Sequence, residues 1–260
     1  MKEITIIGFG NFGKLAAKNL VKAGLDVTVT DVIDKSKEAE EIGARFATLE
    51  QALKNKIIVL AVPMENLEDM LNKIKDRLIP GTLVLDVCSL KMFACDLMNK
   101  MLPKDIEIIG THPLFGPQSA PTSIKGMRIV LCKVRNKEKT FNKVKEFLEK
   151  LELRVFVVTP EEHDRQMAVS QALTHFIGQV VKKMNLQRVE LSTKTFDDLM
   201  NIMDIIRNDT PALFNNMQTR NPFAKANREK FIDASIKLNT QLNETSGGQI
   251  TWQEKHQKNC

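Results

Sequence analysis

The stretch "EITIIGFGNFGKLAAKNLVKAGLDVTVTD", residues 3–31, decides the fold. A β-branched run enters a glycine turn, "NFGKLAAKNLVKAG" carries apolar residues at helical spacing and stops at Gly24, and "LDVTVTD" returns to a strand pattern. Strand, helix and strand in that order form a βαβ unit, whose parallel strands require a crossover between them. The rhythm continues through "KIIVLAVP" (56–63), the helical "ENLEDMLNKIKDRL", "TLVLDVCS" (82–89), "IEIIGTHP" (106–113) and "MRIVLCKV" (127–134). A last helix, "EKTFNKVKEFLEKLE", precedes the strand "RVFVVTP" (154–160). Short apolar strands alternating with helices predict an α/β fold built on a doubly wound parallel sheet.

After Pro160 the strand pattern stops. "TPEEHDRQMAVSQALTHFIGQVVKKM" (159–184) predicts one long helix opened by a capping box, with Thr159 as N-cap, Pro160 at N1 and Glu162 at N3. Further helices are expected at 195–207, 210–218 and 222–240. The chain therefore divides into a nucleotide-type domain at 1–160 and an all-helical domain at 161–243 suited to a homodimer interface. The polar, glycine-containing stretch 244–260 is expected to be a flexible tail.

Composition narrows the function classes. Hydrophobic residues at 43% and charged residues at 27% describe an ordinary globular protein, with no run near the roughly 18 apolar residues of a membrane span. The strand pattern begins at once, leaving no room for a signal or transit peptide, so a cytoplasmic protein with no membrane partner is expected. A net charge of +6 is spread along the chain, and aromatic content is 5% with no tyrosine. That balance argues against nucleic acid and for small anionic ligands. Cys88, Cys95, Cys132 and Cys260 show no paired spacing, so neither a metal site nor a disulfide framework is expected.

Gly8, Gly10 and Gly13 of "GFGNFG" form GxGxxG between a strand and a helix, the context that makes it a dinucleotide fingerprint of the Rossmann type. Asn11 and Phe12 complete the turn, whose amides would meet a pyrophosphate at the helix N-terminus. Asp31 ends the second strand, where a carboxylate accepts from both ribose hydroxyls and repels a 2′-phosphate, favouring NAD over NADP. Capping of the next turn is the alternative for Asp31, and Asp34 lies close by.

Ala61, Val62 and Pro63, and the loop "DVCSLK" (86–91), stand at carboxyl ends of strands, the edge where open α/β sheets bind ligands. "THPLFGP" (111–117) follows another strand, so Ser89 and His112 should face one crevice, with His112 a base or a turn residue. Asp164, Gln171 and His175 lie seven and four residues apart, on one stripe of the long helix, pairing with one another or with a ligand. Arg220, before Pro222, could hold a carboxylate bidentately or stay on the surface.

Five stretches resemble the prephenate and arogenate dehydrogenases of tyrosine biosynthesis: "IIGFGNFGKLAAKNLVKAG", "DVCSLK", "GTHPLFGPQSA", "EEHDRQMAVSQALTHFIG" and "TRNPFAKANREKF". They span residues 4 to about 235 in that family's order. The resemblance implies a Rossmann domain followed by a helical dimerisation domain. It also implies roles: His112 beside the substrate hydroxyl as acceptor or base, Ser89 positioning that histidine and approaching the nicotinamide, and His175 and Gln171 lining the substrate pocket. Arg220 would hold a substrate carboxylate.

Departures from the family pattern bear on these roles. Cys88 stands inside the "DVCSLK" stretch, and Asp31 replaces the serine or arginine pattern of NADP-using plant enzymes. The arginine position differs between subgroups. No mutase or regulatory segment is recognisable, so chorismate mutase activity is not expected.

The reading is an NAD-dependent prephenate dehydrogenase, with arogenate dehydrogenase as its nearest rival. A β-hydroxyacid dehydrogenase or imine reductase would share the glycines without the HP motif. A non-enzymatic NAD sensor would have no use for Ser89, His112 and His175 together.

Overall fold

The computed structural model describes residues 3–120, 122–206 and 210–246. β1 (Glu3–Ile7), α1 (Asn11–Lys22) and β2 (Asp26–Thr30) form the expected βαβ unit. α2 (Ser36–Glu41), β3 (Arg45–Phe46) and α3 (Leu49–Ala52) follow, then β4 (Ile57–Leu60), α4 (Leu67–Ile74), β5 (Leu83–Asp86), α5 (Lys91–Met101) and β6 (Glu107–Pro113). β7 (Arg128–Arg135), α6 (Glu138–Lys150) and β8 (Arg154–Val157) complete a sheet of eight described strands ordered β3-β2-β1-β4-β5-β6-β7-β8. The order reverses between β1 and β4, which opens a crevice at their carboxyl ends.

Successive residues of each strand face opposite sides of the sheet. Ile7, Ile58, Leu60 and Val84 pack with α4 and α5, whereas Ile6, Val59, Leu85 and Ile109 pack toward α1 and α6. On α4 the buried residues Leu67, Leu71 and Ile74 recur at helical spacing, each burial stabilising by about 1.5–3 kcal/mol.

Two features of the sheet differ from the sequence expectation. β3 has two residues, too few to show a strand pattern. The sheet is also not parallel throughout, because β6 and β7 pair antiparallel while β7 and β8 are parallel again. The chain between β6 and β7 carries no helix in its described part, and an antiparallel neighbour needs no crossover.

Beyond Val157 only helices follow among the described residues. Thr159 Oγ1 accepts from the Glu162 amide at 3.1 Å with Pro160 at N1, but Glu162 accepts from Gln166 Nε2 at 2.6 Å, so only half of the expected capping box forms. The single long helix of the sequence reading is three segments: α7 (Pro160–Met167), a π-wound stretch at Ala168–Leu173, and α8 (Thr174–Lys183). π winding widens the turn and disturbs the carbonyl ladder. Gln218 Nε2 donates to the Ala172 carbonyl at 2.7 Å, and the Ser170 hydroxyl donates to the Gln166 carbonyl at 3.0 Å.

α9 (Lys194–Ile206), α10 (Pro211–Thr219) and α11 (Ala224–Ser246) follow. Because α11 runs to Ser246, the expected tail begins as helix, and 247–260 lie outside the described residues. No described helix is long and apolar enough to cross a membrane.

Two glycines offer a contrast in tolerance. A Cβ on Gly13 would lie 2.0 Å from the Gly8 carbonyl oxygen, a rigid backbone atom, whereas one on Gly178 would meet the movable Cδ1 of Ile206. Gly13→Ala should therefore lower the denaturant-unfolding free energy by about 1–3 kcal/mol, and Gly178→Ala by clearly less.

Candidate active site

The crevice between β1 and β4 is floored by the glycine turn. Gly8 has φ +99°, and a Cβ there would lie 2.5 Å from the Ala61 carbonyl oxygen, so backbone fills the space a side chain would need. At Gly10 the reverse holds: a Cβ would meet nothing within 4 Å. Gly10 is the N-cap of α1 and no side chain caps that helix, leaving its first amides for an anion. Ala61 of the "AVP" edge donates its N–H to the Ile7 carbonyl at 2.7 Å, which sets Ala61, Val62 and Pro63 along the crevice.

Asp31 lies just past β2 and accepts from the Phe9 amide at 2.7 Å, the Ile33 amide at 3.2 Å and Lys35 Nζ at 3.1 Å. Burial acts to raise its pKa, but these donors hold it below the ordinary carboxylate value. Across the crevice, Phe12 on α1 meets Phe115 after β6, with ring centroids 6.4 Å apart.

At the ends of β5 and β6 the chemistry is buried. Asp86 is fully enclosed and accepts from the amides of Cys88 at 2.9 Å and Thr111 at 3.1 Å, and from the Lys91 ammonium. Lys91 Nζ also donates to the Thr111 carbonyl at 2.6 Å. Burial is the largest influence on Lys91 and acts to lower its pKa, but the Asp86 charge, together with Cys95, Cys88 and the Asp86 hydrogen bond, raises it above the ordinary value. A buried pair is tolerated only when its remaining hydrogen-bonding capacity is met, and here one network meets it while shaping the loop that carries Ser89. Ser89 Oγ is the buried side-chain polar atom without a hydrogen-bond partner among the described residues. Such an atom at a strand's carboxyl end calls for a ligand.

His112 is buried on β6, and its Nδ1 lies 2.8 Å from His163 Nε2. His163 Nδ1 lies 2.7 Å from Asp164 Oδ1. The same Asp164 carboxylate accepts from the amides of Lys91 at 2.8 Å and Met92 at 3.0 Å, so it caps α5 from α7. Burial first, then the His163 ring and the Lys91 ammonium, hold His112 well below the ordinary imidazole value of 6.5. His163 is likewise lowered by burial, with the Asp164 hydrogen bond pulling the other way.

The structure thus gathers Asp86, Lys91, Thr111, His112, His163 and Asp164 into one network with Ser89 at its edge. Of the expected stripe, Asp164 is engaged with α5 and His163, and the helix beyond it is π-wound from Ala168 to Leu173, a stretch that contains Gln171. Asp164 is fully buried against α5, whereas Gln171 and His175 are half-buried on the π segment and the first turn of α8. Arg220 stacks over Phe93 of α5 at 4.7 Å, and Asn221 beside it donates to the Asp164 carbonyl at 2.8 Å. His163 was absent from the sequence candidates. Its signal was its place beside Asp164 in the first turns of the long helix, a histidine among otherwise solvated residues.

These residues fit a dinucleotide: an open cradle at Gly10, an uncapped helix N-terminus, a carboxylate past β2 and an orphaned hydroxyl.

Known proteins agree with that chemistry. The family model "Prephenate dehydrogenase, nucleotide-binding domain" matches residues 16–157, and one described as "TYRAAT1-like, C-terminal domain" matches residues 180–254. Arogenate dehydrogenase 1, chloroplastic, of Arabidopsis thaliana is 30% identical over 92% of this chain and 39% of its own length. The probable arogenate/prephenate dehydrogenase of Methanocaldococcus jannaschii is 32% identical over 88% of this chain and 54% of its own. The chain spans about half the length of these relatives.

Among solved structures, prephenate dehydrogenase from A. aeolicus in complex with hydroxyphenyl propionate and NAD+ has a TM-score of 0.73 at 19% identity, covering 96% of this chain and 93% of that one. Synechocystis arogenate dehydrogenase gives 0.70 at 21%, covering 98% and 95%. Both share the fold. With a nucleotide-binding domain matched over more than half its length and a parallel-dominated sheet that continues into helices, the chain belongs to the prephenate and arogenate dehydrogenase family of oxidoreductases.

Proposed function

We propose that this chain oxidises and decarboxylates prephenate to 4-hydroxyphenylpyruvate with NAD. The observation that carries the reading is His112, a buried imidazole kept neutral at the carboxyl end of β6, the strand beside the one that leads to the orphaned Ser89 hydroxyl. Bound NAD supplies the hydride acceptor. His112 takes the proton of the ring hydroxyl as the carbinol C–H bond gives up its hydride, leaving a ring ketone. Loss of the ring carboxylate as CO2 then drives electrons through the ring onto that oxygen, and His112 returns the proton to it. Aromatisation is the driving force, so the protein's work is to orient the ring, exclude water and hold one proton.

Ser89 approaches the nicotinamide; its Oγ makes no hydrogen bond to His112, so the expected positioning of that histidine falls to His163 instead. Gln171 and His175 line the substrate pocket, and Arg220 takes a substrate carboxylate. Gly8, Gly10, Asn11, Phe12 and Gly13 cradle the pyrophosphate, with Ala61, Val62 and Pro63 along the opposite edge. Asp31 supports NAD over NADP, since its carboxylate occupies the ground a 2′-phosphate would need. Arogenate is the second reading, favoured by the Arabidopsis relatives. Homodimer assembly through the helical part is supported by Ile232, Ile236, Leu238 and Leu242, apolar residues exposed along α11.

Purified protein should reduce NAD with prephenate faster than with arogenate, and faster than it reduces NADP; reduced-cofactor absorbance reads all combinations. Absence of turnover with either substrate would sink the reading. His112→Asn should lower kcat by about 10²–10⁴-fold while leaving NAD affinity unchanged.

The pH dependence follows from burial. A histidine whose pKa is lowered stays neutral, and so active, below 6.5. The acid limb of kcat/KM should therefore fall below pH 6.5, and a limb at or above that value would contradict a buried base. The same shift acts on stability with the sign of a depressed group. Its contribution is full above the unfolded value near 6.5 and is lost as pH falls toward the folded one, as unfolding at two or three pH values would read.

A further inference from the structure

We infer that His163 and Asp164 are positioning residues that fix the tautomer of His112, so that its Nε2 is the atom that exchanges a proton with substrate. This rests on the reading of His112 as the base and adds which ring nitrogen acts and why.

The argument is one of proton placement. Asp164 accepts two backbone N–H groups at the N-terminus of α5, at 2.8 and 3.0 Å, one on each carboxylate oxygen. With both oxygens serving as acceptors, His163 Nδ1, 2.7 Å from Oδ1, carries the hydrogen of that contact. A neutral imidazole has one N–H, which leaves His163 Nε2 with its lone pair. That lone pair faces His112 Nδ1 at 2.8 Å, so Nδ1 of His112 donates. By the same count Nε2 of His112 is bare and able to take a proton.

The reversed arrangement, with His163 donating to His112, would set a bare His163 Nδ1 against a carboxylate oxygen at 2.7 Å, two acceptors with no hydrogen between them. The rings meet edge-on, centroids 5.0 Å apart and planes at 68°, which keeps His163 Nε2 directed at Nδ1 of its partner. Lys91, whose ammonium is committed to Asp86 and the Thr111 carbonyl, is the other charged group acting on His112. Its charge disfavours an imidazolium. The hydrogen bond through His163 to Asp164 acts in the opposite sense once His112 holds the substrate's proton, as a carboxylate behind a histidine does in a hydrolase triad. Burial, helped by the Lys91 cation, thus keeps the base neutral at rest, and one carboxylate supports it when charged.

The test uses the full chain labelled with ¹⁵N-histidine, which reports the protonated nitrogen of each ring without any substrate. His112 should show a protonated Nδ1 and a bare Nε2 at neutral pH. His163→Leu, which removes the acceptor, should move His112 toward the Nε2–H form and lower kcat by about 10²-fold with NAD affinity unchanged. His163→Gln, which restores an acceptor oxygen, should recover at least tenfold of that loss.

A wild-type His112 protonated at Nε2 overturns the proposal, as does a His163→Leu enzyme with unchanged kcat. If His163→Leu fails to fold, the wild-type spectrum decides by itself. A protein that shows the expected tautomer yet turns over neither prephenate nor arogenate leaves the proton placement standing and removes the dehydrogenase reading, so the two failures are told apart.

Discussion

The carboxylate of Asp164 on the N-terminus of α5 is the contact on which the site depends. α5 begins after Leu90, which offers no capping oxygen, and its first amides would otherwise be buried without acceptors. Asp164 supplies both acceptors from α7, so the helix that follows β5 is finished by the segment that opens the helical part. The same bond brings His163 to His112 and lets Asn221 hold the backbone of α7. Severing it would leave orphaned amides, a misdirected histidine and an unanchored helix together.

Buried charge is sorted with care around that contact. Asp86 and Lys91 neutralise each other within a shell of backbone partners, and Asp164 spends its charge on amides and one imidazole N–H. What remains for His112 is an enclosed setting with the His163 ring and the Lys91 cation close by, and burial above all keeps it neutral. The electrostatics around His112 are thus set by groups on β5, α5 and α7. Cys88, inside the same loop, has its thiol pushed up by burial and by Asp86, so it stays protonated and inert.

Much of this was legible in the sequence, for reasons that vary by residue. The glycine turn could be read because strand, GxGxxG and helix occur in immediate succession, and the structure gives each glycine a separate steric reason. Ser89 and His112 could be placed at one sheet edge because strand runs announce where they end. The His163–His112 pair could not be read, since 51 residues separate two side chains that meet only after the sheet and α7 are assembled. The direction of β7 was hidden because alternation carries no sign. The π-wound stretch was hidden because its residues carry the same apolar spacing as the α-helix on either side.

The antiparallel pairing of β6 with β7 acts as a reading frame for His112. His112 lies opposite Val130, and a bulge between Ile108 and Ile109 sets the phase of the residues that follow. Thr111 and Pro113 line the apolar space toward α1 and α6, while His112 faces His163. A one-residue slip would exchange those faces, sending the imidazole in among Leu15, Phe147 and Leu151 and presenting a threonine or a proline to His163. Insertions and deletions should accordingly be accommodated after Pro113, in the connection to β7, and excluded between the bulge and His112, where a single residue gained or lost would turn the imidazole to face hydrocarbon.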